Sequence, residues 1–123
     1  MSDFLRLGAR GEALGWNFLQ KQGYAILEKN YRTRFGEIDV IAEKEGVIVF
    51  LEVKTRRDTQ FGLPQEAVDW KKRQKLGRVA EAFLQKKRLE NREARFDILS
   101  VLWDGTREPE FSILEDAFAL EGS

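Results

Sequence analysis

Hydrophobic and polar positions divide the chain into seven segments joined by short polar connections. From about Gly8 to Gln22 the residues favour a helix, and Gly23 stands where a helix-ending glycine belongs. On a helical wheel Leu5, Ala9, Glu12, Trp16 and Leu19 share one stripe, while Leu7, Leu14 and Phe18 form a second. Only Arg10, Asn17 and Lys21 remain as a polar strip, so the helix is expected to be covered on more than one side. Three strands are expected next. Tyr24–Arg32 is the least regular of them. Gly36–Glu43 alternates, with Ile38, Val40 and Ala42 on one face and Glu37, Asp39 and Ile41 on the other. Val47–Thr55, "VIVFLEVKT", begins with five apolar residues and follows "EKEG", a connection that suits a hairpin.

"RRDTQFGLP" reads as an irregular loop. A second helix is expected from Gln65, just after Pro64, to about Arg88. Val68, Leu76, Val79, Ala80, Phe83 and Leu84 would form its core face, with Lys71, Lys75 and Arg78 on another. Arg95–Trp103 is a fourth strand, "DGTREP" a turn, and Glu110–Asp116 a short fifth strand. The order α-β-β-β-α-β-β predicts an α/β fold, a mixed central sheet flanked by helices. No repeat or low-complexity tract interrupts it. The length of 123 residues suits one domain, 1–123, ending in a short acidic tail.

Composition narrows the chemistry. The chain has no Cys and no His. Disulfides, Cys-bound zinc, iron–sulfur clusters, thiol nucleophiles and Ser–His pairs are therefore excluded. Carboxylates, carbonyls and water are left as metal ligands, which favours a hard ion such as Mg²⁺, Mn²⁺ or Ca²⁺. The longest apolar run is Val47–Leu51, too short for a membrane helix. Charges in "MSDFLRLGAR" occupy the place of a signal peptide's apolar segment. A soluble, cytoplasmic protein with no membrane partner is expected.

Net charge is zero, but unevenly distributed. Between Lys71 and Arg88 eight basic residues face one acid, Glu81, whereas beyond Val101 acids dominate. A neutral total can conceal a basic face.

The acids need an explanation. A carboxylate at the end of an apolar strand costs several kcal/mol unless it is exposed, paired or metal-bound. Glu52 and Lys54 are two apart, so both side chains emerge on one face. If the two strands form a hairpin, Asp39 can sit across from them, roughly 5 Å away between Cβ atoms. Two readings stand side by side. In one, Asp39 and Glu52 hold a divalent ion with the Val53 carbonyl as a third oxygen, and Lys54 stands beside a water or phosphate. In the other, Lys54 neutralises either acid as a structural ion pair. Glu12 lies in an apolar helical stripe. It is either a further acid for the site or a stripe-edge residue reaching to water or pairing with Arg32 or Arg34.

"GEIDVIA" followed by "VFLEVKTR" resembles the PD-(D/E)xK phosphodiesterase core of restriction endonucleases and archaeal-type Holliday junction resolvases. "GARGE", "NYR" and "RFDIL" bring it closer to the bacterial YraN-like family, over roughly Gly8–Phe118. The resemblance implies a restriction-endonuclease-like fold with Asp39, Glu52 and Lys54 as the motif residues. It further implies Glu12 as an added metal-side carboxylate and Gln65 as the glutamine that follows the lysine strand. Ile38 stands where the motif has proline. The implied function is metal-dependent hydrolysis, with Mg²⁺ or Mn²⁺, of phosphodiester bonds in structured or branched nucleic acid, DNA being expected. The alternative is a catalytically silent nucleic-acid-binding or protein-interaction module. Arg32, Arg34, Arg56, Arg57, Lys71, Lys75 and Arg78 would contact phosphates without reading sequence. Lys86–Arg88 read more simply as a solvated face. Phe35 and Phe61 would either stack on bases or anchor loops. A homodimer is left open.

Overall fold

The computed structural model describes residues 3–57 and 68–119. Helix α1 (Asp3–Lys21) precedes strands β1 (Ala25–Thr33), β2 (Gly36–Lys44) and β3 (Val47–Arg56). Helix α2 (Trp70–Lys86) and strands β4 (Ala94–Leu102) and β5 (Glu110–Phe118) complete the expected order. The strands form one sheet in chain order, antiparallel except between β3 and β4. That parallel step needs a crossover, and α2 supplies it.

The crossover explains the apolar run in β3. Ile48 and Phe50 pack beneath Leu76, Val79, Ala80 and Phe83 of α2. Val49, Leu51 and Val53 point the other way, into the cluster that contains Leu19 of α1. A strand covered on both faces has no polar side to show. The result is a restriction-endonuclease-like α/β fold. Strand β5 begins at Glu110 as expected and runs two residues past Asp116, to Phe118, and the acidic tail expected after it lies almost wholly outside the described residues.

Two turns follow from local chemistry. The β2–β3 hairpin closes through Glu45 and Gly46 at φ of 51° and 83°, between the paired Lys44 and Val47. Two left-handed central residues are the type I′ turn, whose twist matches that of the strands. Helix α1 ends as the glycine predicted: Gly23 has φ of 94°, and the Tyr24 N–H reaches back to the Leu19 carbonyl at 3.0 Å.

Three expectations are corrected. Helix α2 does not begin at Gln65, which lies outside the described residues. Val68 and Asp69 precede the helix, and the Asp69 carboxylate caps it by accepting from the Lys72 N–H at 2.8 Å. In β2, Ile38 does not share a face with Val40 and Ala42. It packs with Ile41 on the α2 side, while Val40 and Ala42 face α1. In α1, among the residues whose burial is described, the fully buried line is Gly11, Gly15 and Leu19, with Glu12 and Trp16 only half-buried.

Those glycines set the distance between helix and sheet. A Cβ on Gly11 would lie 2.5 Å from Thr55 Oγ1, and one on Gly15 would lie 2.9 Å from Leu99 Cδ2. Overpacking of this kind typically costs about 1–3 kcal/mol. Gly11→Val should therefore melt lower than wild type, and more so than Gly15→Ala, where only a terminal methyl must yield. A Gly11→Val melt equal to wild type would mean that the helix does not depend on this close approach.

Candidate metal and phosphate site

The β2–β3 ladder runs from Lys44↔Val47 to Val40↔Leu51 and stops. One step further, Asp39 and Glu52 would face each other. Instead the Asp39 carboxylate takes over a backbone group, accepting from the Val53 N–H at 2.8 Å through Oδ2. The face change in β2 falls at this point, with Ile38 on the α2 side and Val40 on the α1 side of Asp39.

Glu52 continues the row of Ile48 and Phe50 and so projects toward α2. It is only 3% exposed. Its Oε2 lies 3.1 Å from Lys72 Nζ and 3.9 Å from Lys54 Nζ. Its Oε1 is buried without a hydrogen-bond partner. The expected meeting of Asp39, Glu52 and Lys54 is found, and α2 adds an unexpected fourth member in Lys72.

The electrostatics follow from this crowding. Burial, and then the charge of Asp39, raises the Glu52 pKa above the usual carboxylate range, against the pull of Lys72 and Lys54. Burial raises that of Asp39 too, although the Val53 N–H, Lys54 and Lys72 oppose the shift. Glu12 is raised by burial and by the charges of Asp39 and Glu37. The two lysines diverge. Burial and contact with Lys72 lower the pKa of Lys54. Burial works against Lys72 as well, but Lys54, Glu52 and Asp39 together outweigh it and raise its pKa.

Asp97 is a second buried acid with a different environment. It is fully buried in β4 and accepts from Tyr24 Oη at 2.9 Å, Arg95 Nε at 3.0 Å and the Asp116 N–H at 2.9 Å. Both of its oxygens are occupied. Asp116, at φ of 50°, lies where the β4–β5 register shifts, so the carboxylate ties down a bulge. Asp97 is a satisfied structural acid, whereas Glu52 retains an oxygen with no partner.

The other expected residues are dispersed. Arg32 pairs with Glu37 at 3.3 Å rather than with Glu12, and the Arg34 guanidinium lies over Phe35. Phe35 packs on the core, and Phe61 lies outside the described residues. Arg56 is half-buried, with its carbonyl accepting from the Trp103 N–H at 2.8 Å. Arg57 lines a small cleft with Asp104, Glu108 and Glu110. Lys71, Lys75 and Arg78 are exposed on α2. Lys71 and Lys75 line a cleft of about 430 Å³ with Lys72, Gly36, Glu37 and Asp69.

Lys72 was legible in principle. It begins the stripe that continues through Leu76, Val79, Ala80 and Phe83, the face of α2 that meets Glu52's side of the sheet.

A hard divalent ion suits the donor set, two carboxylates with one oxygen unpaired. Among the described residues no three acidic side chains close into a ready cage. Water and phosphate oxygens would complete the shell, as Mg²⁺ prefers. Among the described residues no helix is long and apolar enough to cross a membrane.

By its fold this is a restriction-endonuclease-like α/β protein. A profile of the Uncharacterised protein family UPF0102 matches residues 11–101, and the chain belongs to that family. The UPF0102 protein of Alkaliphilus metalliredigens is 49% identical over 96 residues, 78% of this chain and 84% of its own. That of Syntrophus aciditrophicus is 44% identical over 123 residues, 98% of this chain and 94% of its own. The YraN-like resemblance in the motif blocks is thereby borne out.

Proposed function

We propose that this protein binds structured or branched nucleic acid, expected to be DNA, and hydrolyses its phosphodiester bonds with Mg²⁺ or Mn²⁺. The observation that carries this reading is Glu52, a buried carboxylate beside Asp39 with one oxygen unsatisfied. Leaving that oxygen without a partner costs roughly 1–3 kcal/mol, which a bound cation would offset.

Asp39 and Glu52 would hold the ion, with the Val53 carbonyl and, through water, Glu12. The ion supplies polarisation of a phosphoryl oxygen and of water. Lys54 lies beside the acids, with burial weakening its hold on its proton. It would orient the attacking water and stabilise charge developing on phosphorus. Lys71, Lys75 and Arg78 would carry the flanking phosphates. Trp70, 61% exposed at the start of the same helix, offers a face for an unpaired base.

The alternative, a silent module that keeps the fold, has one observation in its favour: an ammonium already stands 3.1 Å from Glu52. A Mn²⁺-dependent cleavage screen across duplex, single-stranded, flap and four-way-junction DNA separates the two. Cutting that disappears in Asp39→Asn supports the nuclease. Binding with no cutting of any of these substrates selects the silent module.

Binding has its own test. Each lost phosphate contact removes roughly 0.9 from the log–log salt slope on duplex DNA. Charge reversal at Lys71, Lys75 and Arg78 should weaken affinity and flatten that slope. An unchanged slope would move the surface to Arg32, Arg34, Arg56 and Arg57.

A further inference from the structure

We infer that Lys72 is the resident counter-cation of the carboxylate site, holding Glu52 in the metal-free protein and competing with a divalent ion for it. This rests on the reading that Asp39 and Glu52 are metal ligands. Lys72 comes from α2, not from the strand that carries Glu52 and Lys54, yet its ammonium is the nearer of the two, at 3.1 Å against 3.9 Å.

Its placement is fixed at both ends. Asp69 caps the Lys72 N–H at 2.8 Å, and Leu76, Val79, Ala80 and Phe83 hold the helix to the sheet. The side chain remains 38% exposed and borders the cleft shared with Lys71 and Lys75. An ammonium displaced from Glu52 thus has a hydrated place to go, among groups suited to phosphate. The arrangement keeps the acids from standing uncompensated when no metal is bound.

An ammonium beside a doubly charged ion opposes its binding by on the order of tenfold, even with water-like screening at roughly 5 Å. Removing it should therefore tighten metal binding, an effect that a purely structural ion pair would not give. Calorimetric titration with MnCl₂ alone is expected to show Lys72→Met binding at least about tenfold more tightly than wild type. Lys72→Arg, which keeps the charge, should bind as wild type does. In EDTA, Lys72→Met should melt below wild type, and Glu52→Gln should raise the melting temperature more in the Lys72→Met background than in wild type. Lys72→Gln replaces the methionine variant should the latter not fold.

If wild type binds Mn²⁺ and Lys72→Met binds equally or more weakly, the inference fails while the metal site stands. Uptake of Mn²⁺ by neither protein would overturn the metal site and the inference together. A Glu52→Gln change that shifts the melting temperature equally in the wild-type and Lys72→Met backgrounds would also overturn the inference, because Lys72 would then not be coupled to Glu52.

Discussion

Asp97→Ala is expected to destabilise the protein by about 3–5 kcal/mol, the range for removing one partner from a buried charged network. The variant keeps the Tyr24 hydroxyl, the Arg95 guanidinium and the Asp116 N–H, and takes away the acceptor all three share. Tyr24 is itself buried and cannot turn to water. For a domain of this size the loss corresponds to roughly 10–25 °C in melting temperature. Asp97→Asn keeps the shape and some acceptor capacity but not the charge facing Arg95, so its loss should be smaller. Alkaline titration gives an independent check. Burial, the Asp97 charge and its hydrogen bond push the Tyr24 pKa up to about 12 from 10.0. The stability tied to that proton is fully present below pH 10 and is lost as the pH rises through about 12. Wild type should therefore lose stability over that window, and Asp97→Ala should show less of this dependence. A variant melting within about 2 °C of wild type would mean that the β4–β5 bulge is held by other contacts.

The same contrast explains what could and could not be read from the sequence. Element order was legible because each segment carries its own period: alternation in β2, an apolar run in β3, and the helical stripe from Leu76 to Phe83. The hairpin turn was legible because Gly46 accepts the left-handed conformation. The face change in β2 was not, since alternation presumes a continuous ladder and this ladder ends at Val40↔Leu51. The contact line of α1 was also hidden. A search for apolar stripes passes over Gly11 and Gly15, whose lack of a side chain brings the helix down onto Thr55 and Leu99. Asp97 had a visible signal, an acid between Phe96 and Ile98 with Arg95 two residues before it, much like Asp39 between Ile38 and Val40. Spacing alone does not separate the two. What separates a structural acid from a candidate ligand is whether its oxygens are satisfied, and those donors come from Tyr24 and Asp116, far away in sequence.

Glu52→Gln tests that distinction most directly, because the two readings of the site predict opposite signs. Both Glu52 and Asp39 hold protons above their ordinary values of 4.5 and 3.8, with burial as the leading cause. A group whose pKa is raised on folding contributes stability that is present below its unfolded value and is lost as the pH rises through its folded value. At neutral pH the ionised Glu52 is therefore the less favoured form in the fold, and glutamine removes that penalty. In EDTA the variant should melt at or above wild type near pH 7, and the difference should shrink toward zero on acidification to about pH 4. Addition of Mn²⁺ at a hundredfold its dissociation constant should stabilise wild type by about 2.7 kcal/mol and the variant by far less. Metal-dependent cleavage, where wild type has it, should fall on the order of a hundredfold or more, as when a charge-stabilising group is removed from an active site. A Glu52→Gln protein that melts several degrees below wild type in EDTA would show the opposite. The attraction of Lys72 and Lys54 would then exceed the cost of burial, and Glu52 would be the anchor of a structural ion pair. If instead Mn²⁺ raises the melting temperature of wild type alone, Glu52 is a metal ligand whether or not any of these substrates is cut.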